Sequence, residues 1–442
     1  MLIFIENTPR AYAWGSKDAL PDMLGLAPTG EPQAELWLGT HPGSPAHVAK
    51  ASAGARTLID LVESDPDRYG VDGGPLPFLL KVLAIGAPLS LQVHPDLAQA
   101  AAGFAAEEAA GVPRDAPHRN YGDPNHKPEL LVALSEVTAL SGFRPLAAAR
   151  RELLLLASAA RQAGEIEGAS ALERVEARLR GADPEALRRE FLEWVFSGDP
   201  VVARALDAIA AAVPRIDPDG EPRGSAETDP ASSVREPERQ FDAARAAALR
   251  DLVGSHPGDP GVLVSLLLHL VRLDPGDAVY LRARQLHAYL SGIAVEVMAS
   301  SDNVLRAGLT PKHIDIAELC RIVDTGEIAE PRFPGERVAR GLVAWRPDVP
   351  DFALLRARLC DPEQSASGAA PADSAPSVDV SAKCPLVLMV TSGRVRVERR
   401  AEGEHGLAEV ASARRGQSLY VSAGDPIRLT GHGEVFLATT GG

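Results

Sequence analysis

The chain has 442 residues, 45% hydrophobic and 24% charged, the composition of a globular protein of two or three domains with a large core. Its formal charge of −15 argues against nucleic acid or an anionic membrane as a partner, so an anionic ligand would need a local basic pocket. Three cysteines (Cys320, Cys360, Cys384) with no CxxC pair argue against a disulfide framework or a thiolate zinc site, no apolar run reaches the length of a bilayer span, and "MLIFIENTPR" lacks a basic leader, so a cytoplasmic protein is expected.

From residue 1 to about 144, short apolar runs such as "PFLLKVLAIG" and "LSLQV" alternate with Pro, Gly and Asp, a strand-and-turn pattern. The spacing changes to helical from about 145 to 270, in "LAAARRELLLLASAARQAGE", "ALERVEARLRG", "EALRREFLEWVFSG" and "VVARALDAIAAAV". A polar, Pro-rich insert near 215–238 interrupts this block and reads as disordered. Strand signals return in "DPGDAVYLRARQLHAYLSGIAVEVMASSDNVLRAG", and "DIAELCRIVDTGEIAE" is helical or connecting. After residue 326 they continue through "RVARGLVAW", "PLVLMVTSGRVRVERR", "SLYVSAGDPIRL" and "EVFLATT", around a low-complexity loop near 361–383.

A faint repeat links the two strand-rich parts. "GDAVYLRARQLH" (Gly276–His287) and "GQSLYVSAGDPI" (Gly416–Ile427) align without gaps, matching Gly276 with Gly416, Tyr280 with Tyr420 and Ala283 with Ala423. Both read as turn, strand, turn, as two related β domains would give. His287 falls opposite Ile427, so a metal ligand at this position would exist only in the first.

Several residues carry possible chemistry. In "LSLQVHPD", Ser90, Gln92 and His94 share one strand face by the two-residue period, and Leu89, Leu91 and Val93 take the other. "YGDPNHKPEL" crowds His126, Lys127 and Glu129 into the entrance of an apolar strand, and "RQLHAYLSG" places His287 after a turn. Gln92, His94, Glu129 and His287 are nitrogen and oxygen donors of the kind zinc accepts, although their spacing is non-local and each alone also suits a hydrogen-bonded structural role. Trp14, Trp37 and His41 read first as structural. Lys81, a charge inside "FLLKVLAIG", reads as a partner of site residues or a snorkelling side chain.

At these residues the chain resembles the type I mannose-6-phosphate isomerases, a zinc-dependent cupin family. Y-x-D-x-N-H-K-P-E stands whole at Tyr121–Glu129, Q-x-H-P-D at Gln92–Asp96, H-A-Y at His287–Tyr289, and R-A-G-L-T-P-K at Arg306–Lys312; "WLGTHP" and "AYAWGS" are also similar. The resemblance implies a mainly β fold with two cupin jelly-roll barrels and a helical insertion. Residues 1–144 and 271–325 would form the catalytic cupin, 145–270 the helical domain and 326–442 a C-terminal cupin-like domain. It implies one Zn²⁺ per chain on Gln92, His94, Glu129 and His287, and interconversion of mannose 6-phosphate and fructose 6-phosphate through a cis-enediol. Lys127 and Arg306 are the expected cations for phosphate or enediolate, and Ser90 a phosphate contact. Glu296, in "VEVMASS", is a candidate base with His126 and Lys127 as rivals, and the expected assembly is a monomer.

Two other readings share the fold. A metal-dependent cupin oxygenase would favour redox iron and a His-rich shell, against which Gln92, Lys127 and Arg306 count. A non-catalytic sugar-binding protein would not need the complete ligand set together with Arg306.

Overall fold

The computed structural model describes all residues except 50–55, 217–240, 362, 364–367, 369–370, 372, 400–408 and 442. It is built from two β units and a helical block.

The first β unit is a sandwich of two antiparallel sheets that share one long strand, His287–Ala299. Residues 292–299 pair with Phe78–Ile85 and Glu129–Ala133, which are flanked in turn by Glu35–Leu38 and Ala278–Leu281. Its first residues pair instead with Gln92–Val93 and Val137–Phe143, which are flanked by Leu305–Arg306 and Leu268–Leu273. The strand changes sheet where its register slips between Tyr289 and Ser291. Gly292 follows at φ 109°, and a Cβ there would lie 2.4 Å from the Glu136 carbonyl, so only glycine fits the bend.

Strand alternation then sorts the side chains. Leu83, Ile85, Leu131, Ala133 and Ala294 fill the space between the two sheets. Leu80, Val82, Leu130, Val132, Val295 and Val297 point outward to Trp345, Phe352, Phe436 and their neighbours in the C-terminal unit, so the two β units pack back to back through one apolar layer. Val295 and Val297 thus lie opposite Glu296, as the alternation predicts. Leu91 and Val93 turn away from the sandwich interior and join the helical core. Leu89 departs from that alternation and lines the interior cavity beside Ser90, because regular pairing here is confined to Gln92–Val93.

The helices Leu146–Gln162, Ile166–Arg178, Pro184–Val195, Pro200–Ala212 and Ala243–Ser255 pack against the outer face of the second sheet. Asp183, Asp199 and Asp242 accept backbone N–H groups at three helix starts, and proline opens two of those helices. Buried Arg144 grips Glu152 and donates to the Leu266 carbonyl at 2.9 Å, tying sheet to helices. Helical spacing was expected to run to residue 270, but a strand begins at Leu268, since the apolar run "LLLHLVRL" does not distinguish the two states. No helix among the described residues is long and apolar enough to cross a membrane.

In the C-terminal unit Leu386–Arg399 pairs with Ser418–Val421, Glu409–Arg414 and Ile427–Thr439, and Ile427–Thr439 pairs with Ala353–Leu359. Leu388, Val390, Val395, Leu419, Leu429 and Leu437 form its apolar core. Leu2–Glu6, grouped by sequence with the catalytic unit, pairs with Ser418–Val421 and so extends this sheet. The loop expected at 361–383 ends earlier. Ser377–Val380 is a strand on Ile427–Thr439, because Val378, Val380 and Ala382 alternate inward within a Ser- and Pro-rich context. The insert expected near 215–238 falls almost wholly outside the described residues; Ile216, at its start, is buried.

Candidate metal centre and substrate cavity

Glu129, His94 and His287 converge between the two sheets of the first sandwich. His94 Nε2 lies 3.2 Å from one Glu129 oxygen and His287 Nε2 3.4 Å from the other. The three donor atoms lie within 4.8 Å of one another, and all three residues are almost fully buried. Gln92 stands directly opposite His287 in the strand register and lines the same cavity.

Each imidazole is oriented from behind. His94 Nδ1 donates to the Asn303 carbonyl at 2.7 Å, and His287 Nδ1 to the Gln285 carbonyl at 2.9 Å. A carbonyl only accepts, so both Nδ1 atoms carry protons and both Nε2 atoms are left to bind something else. Neither Nε2 nor Glu129 Oε2 has a hydrogen-bond partner, although all are buried. Burial, with Lys127 next, pushes His94 down to about 4, so it is neutral at neutral pH. Burial alone would raise Glu129, but Lys127 and His94 outweigh it and hold the carboxyl well below its usual range. Two imidazole nitrogens and a carboxylate oxygen brought together, each without a hydrogen-bond partner, fit a divalent cation, and this donor set suits zinc.

The cavity beside this cluster has a volume of about 770 Å³. Lys127 lines it with Nζ 2.8 Å from Glu129, so its charge is engaged by a ligand carboxylate. Glu296 lines it as well, 3.6 Å from Lys81 Nζ and 3.2 Å from the donating Tyr289 hydroxyl. Burial, with Glu129 next, pushes Glu296 up to about 7 against the pull of Lys81 and Lys127. Burial would lower Lys81, but Glu35 and Glu296 outweigh it and raise its pKa. Trp37 donates to Glu35 at 2.6 Å, and Lys81 Nζ sits 4.7 Å from the Trp37 ring centre. Lys81 is thus a partner of site residues, as its position in the apolar strand suggested. Trp14 lines the cavity, while His41 packs edge-on against Trp37.

Arg306 is the register neighbour of Gln92 on the side away from His287, and lines the cavity with Ser90 and Lys312. His126 is not brought there. Its Nε2 lies 2.9 Å from Asp351 in the C-terminal unit, because alternation turns Lys127 and Glu129 inward and His126 outward. Sequence reasoning assigned no role to Asn303, which is fully buried. It accepts from the Gly122 backbone N–H and donates to the carbonyls of Asp123 and Asn125, locking the Tyr121–Glu129 loop to the loop that holds His94. Glu35, Tyr289 and Lys312 also line the cavity and were missed as site residues; Tyr289 and Lys312 lie within the quoted motifs, whereas Glu35 stands outside them.

A family model for the catalytic domain of phosphomannose isomerase type I matches residues 2–146. The mannose-6-phosphate isomerase of Escherichia coli (strain K12) is 34% identical over 438 residues, covering 97% of each chain. That of Rattus norvegicus is 31% identical over 366 residues, 78% of this chain and 79% of its own. Among solved structures, a zinc-bound mannose 6-phosphate isomerase superposes with a TM-score of 0.77 at 30% identity, over 100% of this chain and 99% of its own. With these likenesses spanning both β units and the helical block, the chain belongs to the type I phosphomannose isomerase family.

Proposed function

We propose that the cavity interconverts D-mannose 6-phosphate and D-fructose 6-phosphate, with one zinc ion on Gln92, His94, Glu129 and His287. The observation that carries the substrate class is a charge mismatch. Arg306 and Lys312 line the cavity of an acidic protein, and neither meets a carboxylate among the described residues. Two uncompensated cations beside a buried metal cluster suit a substrate that carries a phosphate at one end and a reacting carbonyl at the other.

Isomerisation removes the proton on C2 of the aldose and returns it to C1, while the proton of the C2 hydroxyl passes to the C1 oxygen; the intermediate is a cis-enediol. Zinc, when bound, supplies Lewis acidity toward the sugar oxygens. The chain supplies the rest. Glu296 carries the proton between carbons, and a carboxyl tuned to about 7 is ionised often enough at neutral pH to accept it and acidic enough to return it. Lys81 and the Tyr289 hydroxyl hold that carboxyl in place. Lys127 keeps Glu129 ionised as a ligand. Arg306, beside Gln92, stabilises charge on the enediolate or phosphate, with Ser90 as a further contact.

The unpaired Cys320, Cys360 and Cys384 suit a reducing compartment, in keeping with a monomer acting in the cytoplasm. A coupled assay following fructose 6-phosphate from mannose 6-phosphate, before and after chelation, tests the function. Turnover that disappears with the metal and returns with zinc is expected. Full activity in metal-free protein would overturn the reading.

A further inference from the structure

The two cavity cations Arg306 and Lys312 are held by different parts of the fold. Arg306 belongs to the strand pairs. It stands opposite Gln92, the Ala307 N–H donates to the Leu91 carbonyl at 2.8 Å, and the Leu91 N–H donates to the Gly308 carbonyl at 3.1 Å. From Leu309 onward the helical block takes over, through Asp259, which lies between helix Ala243–Ser255 and the short helix Gly261–Ser265. One oxygen of the Asp259 carboxylate accepts the backbone N–H groups of Gly261 at 2.7 Å and Leu309 at 2.8 Å, and the other accepts that of Thr310 at 3.1 Å. Thr310 extends the hold to the second cation, because the Lys312 N–H donates to its hydroxyl at 3.2 Å.

The join is close and strained. Gly308, at φ 109°, lets the backbones touch, since a Cβ there would lie 2.6 Å from Gly261 Cα. Leu309 sits at φ 55°, a left-handed conformation that a leucine keeps only when its surroundings impose it, and its side chain is buried in the helical core. Arg306 and Lys312 also repel each other. Burial, with Arg306 next, lowers the Lys312 pKa, and no carboxylate among the described residues is paired with either. A segment free to move would let the two charges part.

We propose that Asp259 is a positioning residue for the phosphate of the substrate, acting through Leu309 and Thr310 to keep Lys312 beside Arg306 at the cavity wall. This deepens the functional reading above and rests on it. The helical block thereby sets the affinity of a site that is otherwise built on strands. A phosphate oxygen only accepts and carries the opposite charge, so two cations held side by side bind it better than two that drift apart. A contact to the unreacting end of the substrate acts equally in ground and transition states, so its loss raises KM and leaves kcat.

The test uses the zinc-loaded full chain. Asp259→Ala is expected to raise both KM for mannose 6-phosphate and the dissociation constant of inorganic phosphate by about tenfold, the scale of one hydrogen bond to a charged group. The expected kcat stays within about twofold, because strand pairing holds Arg306 and Glu296 without Asp259. Asp259→Asn keeps an acceptor for Gly261 and Leu309 but offers Thr310 an amide N–H, so a smaller rise is expected. A double-mutant cycle separates positioning from a general effect on the fold. Once Lys312→Ala has removed the ammonium, adding Asp259→Ala should change phosphate binding by less than about twofold. Unchanged phosphate affinity in Asp259→Ala and Asp259→Asn would overturn the proposal, as would a full tenfold further loss in the Lys312→Ala background or a fall in kcat larger than the rise in KM. If Asp259→Ala does not fold, the same cycle run with Asp259→Asn decides. Calorimetric titration with inorganic phosphate reads affinity independently of turnover. A wild type that fails to isomerise mannose 6-phosphate would refute the functional reading, while the phosphate titration would still report on Asp259.

Discussion

The two β units share a pattern but not an interior. The strands Ala278–Leu281 and His287–Ala299 in the first correspond to Ser418–Val421 and Ile427–Thr439 in the second, each pair equal in length and joined by connections of equal length. Glycines with positive φ, Gly276 and Gly416, open both copies. Yet where the first long strand begins with buried His287, the second begins with Ile427, fully buried in an apolar core. The first sandwich directs Glu35, Lys81, Glu129, Tyr289 and Glu296 at a cavity and sets His94 and His287 beside Glu129, whereas the second fills the equivalent space with Leu, Val and Ala. One unit therefore accepts the cost of buried polar groups, offset by pairing and by whatever binds there, and the other supplies an apolar scaffold at its back. The bulge after Tyr289 contributes to the difference, because it changes which residues of the strand face inward and so places Glu296 in the cavity.

Breaking the polar interior gives the largest expected effect. His287→Ala removes one buried ligand and is expected to abolish zinc binding and reduce activity by at least about 10³, measured by metal analysis and the coupled assay. The reciprocal change, Ile427→His, is expected to add no zinc, because Leu419, Leu429 and Leu437 around it donate nothing; it should only lower stability by burying an unpaired imidazole.

Glu296→Gln comes next. It keeps shape and metal but removes the proposed proton carrier, so kcat should fall by about 10²–10⁴ with zinc content unchanged. A base acts when deprotonated, so kcat/KM of the wild type should rise with pH through an acid limb. Burial places that limb near the value of about 7 given for Glu296, and a bound cation can only draw it lower. The limb should vanish in Glu296→Gln, which a pH–rate profile reads directly.

The support beneath the first sandwich should be nearly as sensitive, though in stability. Glu152→Ala leaves Arg144 and Arg245 buried without their carboxylate and is expected to cost about 3–5 kcal/mol in denaturant unfolding. Leu388→Ala, in the filled second sandwich, should cost about 2–5 kcal/mol while kcat per folded molecule stays at the wild-type level. A matching fall in kcat there would show that the scaffold acts on the site as well as supporting it.

Much of this contrast was legible in sequence. The motifs named all four expected ligands, the gap-free repeat aligned His287 with Ile427, and strand alternation turned Leu91 and Val93 away from Gln92. What escaped depends on long-range packing. His126 sits in the strongest motif but faces Asp351, a partner 225 positions away that local spacing cannot reveal. Asn303 acts by binding the backbone of another loop, and backbone groups carry no residue-specific signal. Val378 and Val380 form a strand within a segment whose Ser, Pro and Ala content reads as a loop, because two inward residues are too few to outweigh composition.

The central claim is that one metal lies in the first sandwich and none in the second. Anomalous diffraction from crystals of the active protein, collected on either side of the zinc absorption edge, tests it most directly. The account predicts a single peak about 2.0–2.2 Å from the Nε2 atoms of His94 and His287 and from a Glu129 oxygen. Active crystals with no peak at that position, or with a peak inside the C-terminal sandwich, would contradict it.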